Sequence, residues 1–246
     1  MSLPRLLLTR PREDSTALAA VLKDHGIESL IEPLMTIRME TRAGLDLSGV
    51  QAVLLTSANG ARALAAASAC PEARRLPVLA VGCATAQAAR EAGFGAVTAA
   101  DGDVDALVAL ATKRLRPEKG RLVHVAGRVS IGDLAERLRA AGFETERVPL
   151  YEAVAAETLS PSARRALQAQ TLAGVLLFSP RTARLFAKLA RESELESTAR
   201  TLTAFCLSQA VAMAAATLSW HRVTVAAAPR QDALVASVVR TLAPGG

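Results

Sequence analysis

Arg5–Leu34 lies over Arg121–Leu150 without a gap, and ten of the thirty positions are identical. The identities are Arg5/Arg121, Leu6/Leu122, Arg12/Arg128, Leu18/Leu134, Ala19/Ala135, Leu22/Leu138, Gly26/Gly142, Glu28/Glu144, Pro33/Pro149 and Leu34/Leu150. In both copies an apolar run gives way to a polar turn, an amphipathic stretch, a glycine and a second run ending in Pro-Leu. That order reads as strand, turn, helix, helix stop and strand, with Gly26 and Gly142 in the C′ positions where a left-handed residue ends a helix.

Two further matches follow in the same order. Val53-Leu54-Leu55-Thr56-Ser57 parallels Val175-Leu176-Leu177-Phe178-Ser179, and Asp105-Ala106-Leu107-Val108-Ala109 recurs as Asp232-Ala233-Leu234-Val235-Ala236. Three matches in one order make the chain a duplication. Strands are expected near 5–9, 28–33, 52–56, 78–82 and 96–99, then 121–125, 144–149, 174–178, 203–207 and 223–227, with helices after most of them. Each half is thus a five-strand α/β unit. Continuous apolar strands bounded by turns belong to a parallel sheet covered on both faces. Composition agrees, being 51% hydrophobic but only 3% aromatic, so the cores are aliphatic.

Twenty-nine Lys+Arg face 23 Asp+Glu, a net charge of +6 carried mostly by arginine. Arginine suits carboxylate or phosphate partners, although an ordinary basic surface gives the same balance. No basic run interleaved with aromatics marks a nucleic-acid face. Cys70, Cys83 and Cys206 are few, far apart and odd in number, as in a reducing cytoplasm. The first residues, Met1–Arg10, hold too short an apolar run for a signal peptide, and no stretch is long enough to span a membrane. Thr158–Pro161 and the Gly245-Gly246 tail read as loop.

Ligands of such sheets bind beyond the carboxyl ends of the strands, at helix N-termini. The first such turn carries Arg10 and Arg12, and its copy carries Arg128 in Arg128-Val129-Ser130. Both put an arginine beside an expected helix start, where either anion binding or a solvated cap would use it. Ser57 and Ser179 are good N-caps by themselves, whereas the neighbouring Asn59 and Arg181 serve no capping need and are better ligand candidates. In the third turn, Gly82-Cys83-Ala84-Thr85 offers a close backbone approach at Gly82 and a hydroxyl at Thr85. Its counterpart, Ser208-Gln209-Ala210-Val211, has lost both, leaving Ser208 as a partial substitute. His25, His124 and His221 are isolated, and no HExxH, P-loop, GxGxxG or paired carboxylate occurs. No metal site or cofactor is expected. Tyr151, the only tyrosine, follows the second Pro-Leu, where packing alone would also explain it.

Taken together, Leu7–Pro11, Pro33-Leu34, Leu55–Gly60, Val81–Ala86, Gly142-Phe143, Val148–Tyr151 and Phe178–Arg181 resemble the uroporphyrinogen-III synthase family over essentially the whole chain. The resemblance implies an α/β fold of two similar parallel-sheet domains joined by a two-stranded linker. One domain would comprise 1–35 with 155–246, the other 39–149, with 36–38 and 150–154 as linkers. It implies a hydro-lyase that dehydrates and cyclises hydroxymethylbilane, held in the cleft between the domains, while inverting the last pyrrole through a spiro intermediate. The free substrate closes without inversion, so the enzyme's task is chiefly one of positioning. Tyr151 matches the tyrosine that assists departure of the hydroxyl. The substrate's acetates and propionates would be held by Arg10, Arg12, Ser57, Asn59, Gly82, Thr85, Arg128, Ser179, Arg181 and Ser208. A cytoplasmic monomer is implied, supplied by hydroxymethylbilane synthase, without nucleic acid or membrane. The altered turn at 208–212 departs from the family pattern. It leaves open a second function, a non-catalytic two-domain protein that binds a polycarboxylate tetrapyrrole. A phosphosugar or nucleotide enzyme would need a glycine-rich phosphate loop that the strand ends lack.

Overall fold

A computed structural model of the chain describes residues 3–40, 45–67, 74–100, 102–129 and 132–242; Cys70, Ser130 and Gly245-Gly246 lie outside them. The chain divides into two compact units, one of residues 1–36 and 154–246, the other of 37–153.

The first unit holds β1 (Arg5–Leu8), α1 (Arg12–Asp24) and β2 (Glu28–Ile31) from the start of the chain. From its end come α6 (Pro161–Gln168), β9 (Gly174–Leu177), α7 (Pro180–Glu192), β10 (Thr203–Cys206), α8 (Gln209–Ala215), β11 (Arg222–Val225) and α9 (Gln231–Leu242). The second unit holds most of β3 (Met35–Met39), then β4 (Val50–Leu55), α2 (Ala58–Ala67), β5 (Val78–Ala80), α3 (Cys83–Glu91), β6 (Val97–Ala99), α4 (Val104–Arg114), β7 (Arg121–Gly127), α5 (Leu134–Ala140) and most of β8 (Thr145–Ala155). The first sheet runs β11-β10-β9-β1-β2 and the second β6-β5-β4-β7-β8-β3.

These orders are the duplication seen in space. Under the repeat β1 corresponds to β7, β2 to β8, β9 to β4, β10 to β5 and β11 to β6. Each sheet therefore joins the first two strands of one copy to the last three of the other. The halves of the sequence, each read as a five-strand unit, do not fold as separate halves. β1 pairs in parallel with both β2 and β9, and β7 with both β8 and β4. The strands are short runs of Leu and Val because both faces are covered. On the first sheet α7 and α8 pack with Leu7, Val175 and Ala204 on one face, and α1 and α9 with Leu6, Leu176 and Phe205 on the other. On the second, α2 and α3 cover Val53, Val123 and Val148, while α4 and α5 cover Ala52, Leu54 and Leu122.

The two repeat-related helix ends are alike. Gly26 N–H donates to Lys23 O and Ile27 N–H to Leu22 O, at 2.9 and 3.0 Å; Gly142 and Phe143 donate to Arg139 O and Leu138 O at the same two distances. This is the Schellman pattern, and both glycines have positive φ, +72° and +89°. Leu22 with Ile27, and Leu138 with Phe143, are buried as the motif's apolar pair.

The strand expected at 144–149 is longer than its sequence suggested. β8 continues through 150–154 to Ala155, and β3 takes in 36–38, so both linker segments are strand. Ala156 N–H donates to Leu34 O and Glu40 N–H to Leu150 O, at 2.9 and 2.8 Å. As one residue number rises its partner falls, so these crossings run antiparallel. Pro149 does not interrupt the strand, because its position opposite Ala126 is followed by a register shift before Gly127 meets Tyr151.

Candidate functional site

At the carboxyl edge of the second sheet, β4 ends at Leu55 and the chain turns through Thr56 and Ser57 into α2. Ser57 caps that helix, its Oγ accepting from Gly60 N–H at 3.1 Å. The same oxygen lies 2.8 Å from the hydroxyl of Tyr151. Tyr151 reaches it from β8, across β7, by lying against Gly127. A Cβ built on Gly127 would stand 3.1 Å from Cε2 and 3.3 Å from Cζ of the ring. The ring packs against the core beneath α2 and α3, so its hydroxyl is fixed while the residue stays partly open to solvent.

Arg128 follows directly. Its N–H donates to Tyr151 O at 2.7 Å, and its guanidinium, 59% exposed, pairs with Glu40 Oε1 at 2.6 Å. Arg147 of β8 donates to Arg128 O at 3.1 Å, tying the turn to the strand. Arg128 does not stand beside a helix start, as its repeat position suggested. α5 begins only at Leu134, after Gly132-Asp133.

Behind this edge, His124 is 5% exposed on β7. Its Nε2 is 3.4 Å from Thr56 Oγ1, and its Nδ1 is buried without a hydrogen-bond partner. Burial first, then the positive charge of Arg147, pushes its pKa down to about 4. The ring is neutral near pH 7 and cannot act there as a cationic acid.

The other candidates of this unit are spread along the same edge. Asn59 accepts through Oδ1 from Arg62 at 3.0 Å, in the first turn of α2. Gly82 is the N-cap of α3, in extended backbone and without a capping side chain. Thr85, in the first turn of α3, is 6% exposed.

The first sheet's edge differs. Ser179 caps α7 by accepting from Thr182 N–H at 3.1 Å, and its hydroxyl meets Thr182 Oγ1 at 2.8 Å in place of a tyrosine. Met35 stands where the repeat would place Tyr151, and Phe178 stands where it would place Thr56. Ser208 caps α8, accepting from Val211 N–H at 3.4 Å; the equivalent Gly82 leaves its helix without such a cap. Arg181 is exposed at the start of α7. Arg12 is exposed as the first residue of α1, where Glu13 and Asp14 already supply negative charge to the helix N-terminus. Arg10 is held by Asp14 at 2.9 Å and by Gln231 Oε1 at 2.8 Å, with its guanidinium 4.7 Å from the Phe178 ring centroid.

The structure therefore brings Ser57, Tyr151 and Arg128 together and leaves the remaining sequence candidates dispersed along two sheet edges. Gly127, Glu40, Thr56 and His124 were not singled out. Only Gly127 had a signal, a glycine ending a strand one residue before a candidate arginine. Among the described residues no cluster of His, Cys, Asp and Glu is arranged to hold a metal, and no helix is long and apolar enough to cross a membrane.

The same fold occurs in the uroporphyrinogen-III synthetase of Helicobacter pylori 26695, at 15% identity and a TM-score of 0.63 over 97% of this chain and 100% of that one. It occurs also in a mutant uroporphyrinogen III synthase from the extremely thermophilic bacterium Thermus thermophilus, at 17% identity and a TM-score of 0.54 over 97% of each chain. At such identities the likeness concerns the fold. The sequence itself is matched from residue 16 to 236 by the family described as uroporphyrinogen-III synthase HemD. Matched over most of its length, the chain belongs to the uroporphyrinogen-III synthase family.

Proposed function

We propose that this chain closes hydroxymethylbilane to uroporphyrinogen III with Tyr151 as the group that helps the hydroxyl depart. The family is one of cyclising lyases in tetrapyrrole synthesis, acting on a small molecule. The observation that carries the residue assignment is the fixed phenol: Tyr151 is anchored by Gly127 behind it and by Ser57 at its hydroxyl, yet remains partly exposed. A phenol so placed donates a proton to a leaving oxygen or holds that oxygen by a hydrogen bond. His124 is neutral and buried, and Arg10 is already paired with a carboxylate. The chemistry left to the protein is thus orientation of a reactive substrate.

Carboxylates of the substrate are met by the exposed Arg12, Arg128 and Arg181 and by the turn residues Asn59, Gly82, Thr85, Ser179 and Ser208, while the Ser57 hydroxyl is engaged by Gly60 and Tyr151. Arg10 acts as a support that keeps its turn in shape. The enzyme works as a cytoplasmic monomer supplied by hydroxymethylbilane synthase, since a substrate that closes by itself gains from a short transfer.

The test is an assay with freshly generated hydroxymethylbilane, resolving type I from type III product. The parent yields type III, and Tyr151→Phe lowers kcat by roughly a hundredfold with type I product taking over. A parent giving only type I would reject the activity; an unchanged rate in Tyr151→Phe would reject the tyrosine.

A further inference from the structure

The contact between Ser57 and Tyr151 joins the phenol to the start of a helix. Ser57 Oγ has two lone pairs and one proton. One lone pair accepts from Gly60 N–H at 3.1 Å, the N-cap bond of the ten-residue α2. The proton is then free to point along the 2.8 Å line to the Tyr151 oxygen. With Ser57 donating, the phenol's own proton is directed away from Ser57 and is available to a ligand. With the roles reversed, the phenol's proton would be spent on Ser57.

We infer that Ser57 is a positioning residue for Tyr151: its hydroxyl donates to the phenol oxygen, aims the phenol proton at the departing hydroxyl and stabilises the phenolate that remains. This rests on the assignment of Tyr151 made above. In the dehydration the Tyr151 proton passes to the substrate's hydroxyl oxygen, and the carbon–oxygen bond breaks with its electron pair leaving in the water formed. The phenolate accepts the Ser57 hydrogen bond. The Gly60 N–H, held by the same Ser57 oxygen, polarises that bond further and brings the positive end of α2 to bear on it. The substituted carbon of the last pyrrole attacks first to give the spiro centre. The older carbon–carbon bond to the neighbouring methylene then breaks and re-forms at that ring's free α-carbon, and the proton lost from this carbon returns to the phenolate. One water leaves, and Tyr151 and Ser57 end as they began.

The duplication supplies an internal contrast. Ser179 makes the same N-cap bond on α7, but its hydroxyl is turned to Thr182 and no phenol is present. Capping is common to the two copies, and the link to a phenol is confined to one. The capping role alone thus explains Ser179 and leaves the Ser57–Tyr151 contact unexplained.

Four variants separate the two roles of Ser57. Ser57→Gly and Ser57→Ala both lose the hydroxyl, but glycine is tolerated at an N-cap and alanine is not, so only Ala lowers thermal stability appreciably. Ser57→Thr keeps both the cap and the donor, and Tyr151→Phe removes the phenol. The expected result is an equal fall in kcat of about tenfold in Gly and Ala, with KM within about twofold of the parent, and recovery of most of that rate in Thr. Added to Tyr151→Phe, Ser57→Gly costs nothing more, because its effect runs through the phenol. The inference is overturned if kcat follows thermal stability across Gly, Ala and Thr, or if Ser57→Gly slows Tyr151→Phe as much as it slows the parent. An unchanged rate in Tyr151→Phe removes the underlying tyrosine assignment, whereas a slow Tyr151→Phe beside a flat Ser57 series removes this inference alone.

Discussion

The ring of Tyr151 rests on the backbone of Gly127, so closely that a methyl group on Gly127 would lie 3.1 Å from the ring's Cε2. The register shift in the β7–β8 pairing sits at this residue, where Gly127 meets Tyr151 after Ala126 has met Pro149. The irregularity and the absent side chain together set the height of the phenol above the sheet.

Gly127→Ala therefore displaces the ring by a few tenths of an ångström without forbidding the fold. The 2.8 Å contact with Ser57 then lengthens, and the phenol no longer meets the reacting oxygen in line. kcat is expected to fall about tenfold, with a small change in thermal midpoint, because catalysis by orientation is sensitive to such shifts. Steady-state kinetics beside a melting curve check this. A variant with parental kcat would show that the ring's height is unimportant.

Gly26→Ala and Gly142→Ala test the duplication as an energetic fact. Each residue ends a helix in the left-handed region, at +72° and +89°, and neither has a heavy atom closer than 3.7 Å to where a Cβ would stand. The cost of a side chain is thus one of backbone strain, about 1–2 kcal/mol at either site. Urea unfolding followed by circular dichroism should give similar losses. Trp220, the single tryptophan, lies in the first unit, stacked on Phe186 at 5.7 Å, so Gly26→Ala should also move the transition seen in its fluorescence. Unequal losses would mean that the two helix ends are alike in geometry only.

Glu32 fastens the place where the chain re-enters the first unit. It is 5% exposed, and its two oxygens accept from Ser160 N–H at 2.7 Å and from Ser160 Oγ at 2.5 Å. Ser160 in turn caps α6 by accepting from Ala163 N–H at 3.2 Å. Glu32→Ala leaves two donors without a charged acceptor, at a cost of about 2 kcal/mol. Glu32→Gln keeps one acceptor oxygen and should lose roughly half as much. Chemical denaturation measures both, and a Glu32→Ala protein of parental stability would refute the role.

What the sequence made legible is bounded by what a repeat can carry. It placed Gly26 and Gly142 at helix stops and Ser57 and Ser179 at helix starts, because those features depend on near neighbours along the chain. It did not place Glu40 against Arg128, or Gly127 beneath Tyr151. The first comes from β3 lying beside β8 and the second from the register shift between β7 and β8. The Ser57–Tyr151 contact needs β7 and β8 of the second copy to join β4 of the first, and nothing local encodes these pairings. The Arg12 and Arg128 turns show the same limit. Of these identical residues at equivalent positions, Arg12 is the first of a helix, whereas the helix after Arg128 begins only at Leu134. Burial of His124 was equally hidden, since its strand neighbours are apolar on both sides and a solvent-facing histidine would give the same pattern.

His124 makes stability depend on pH in a defined window. Its folded-state pKa is about 4 against an ordinary 6.5, through burial and then the charge of Arg147. Between those values the unfolded chain holds a proton on this ring that the folded chain does not, so stability falls as pH falls through the window. The loss is complete below about pH 4, and the stabilisation is fully present above pH 6.5. A displacement of that size amounts to about 3 kcal/mol. Carboxylates titrate near the lower end of the window as well, so the informative quantity is the difference between the parent and His124→Phe. The variant keeps a ring of similar volume, removes the unpartnered Nδ1 and cannot take up the proton. Urea denaturation at the two ends of the window should show the parent losing about 3 kcal/mol more than His124→Phe. Parallel losses in the two proteins would mean that the buried ring does not control acid stability.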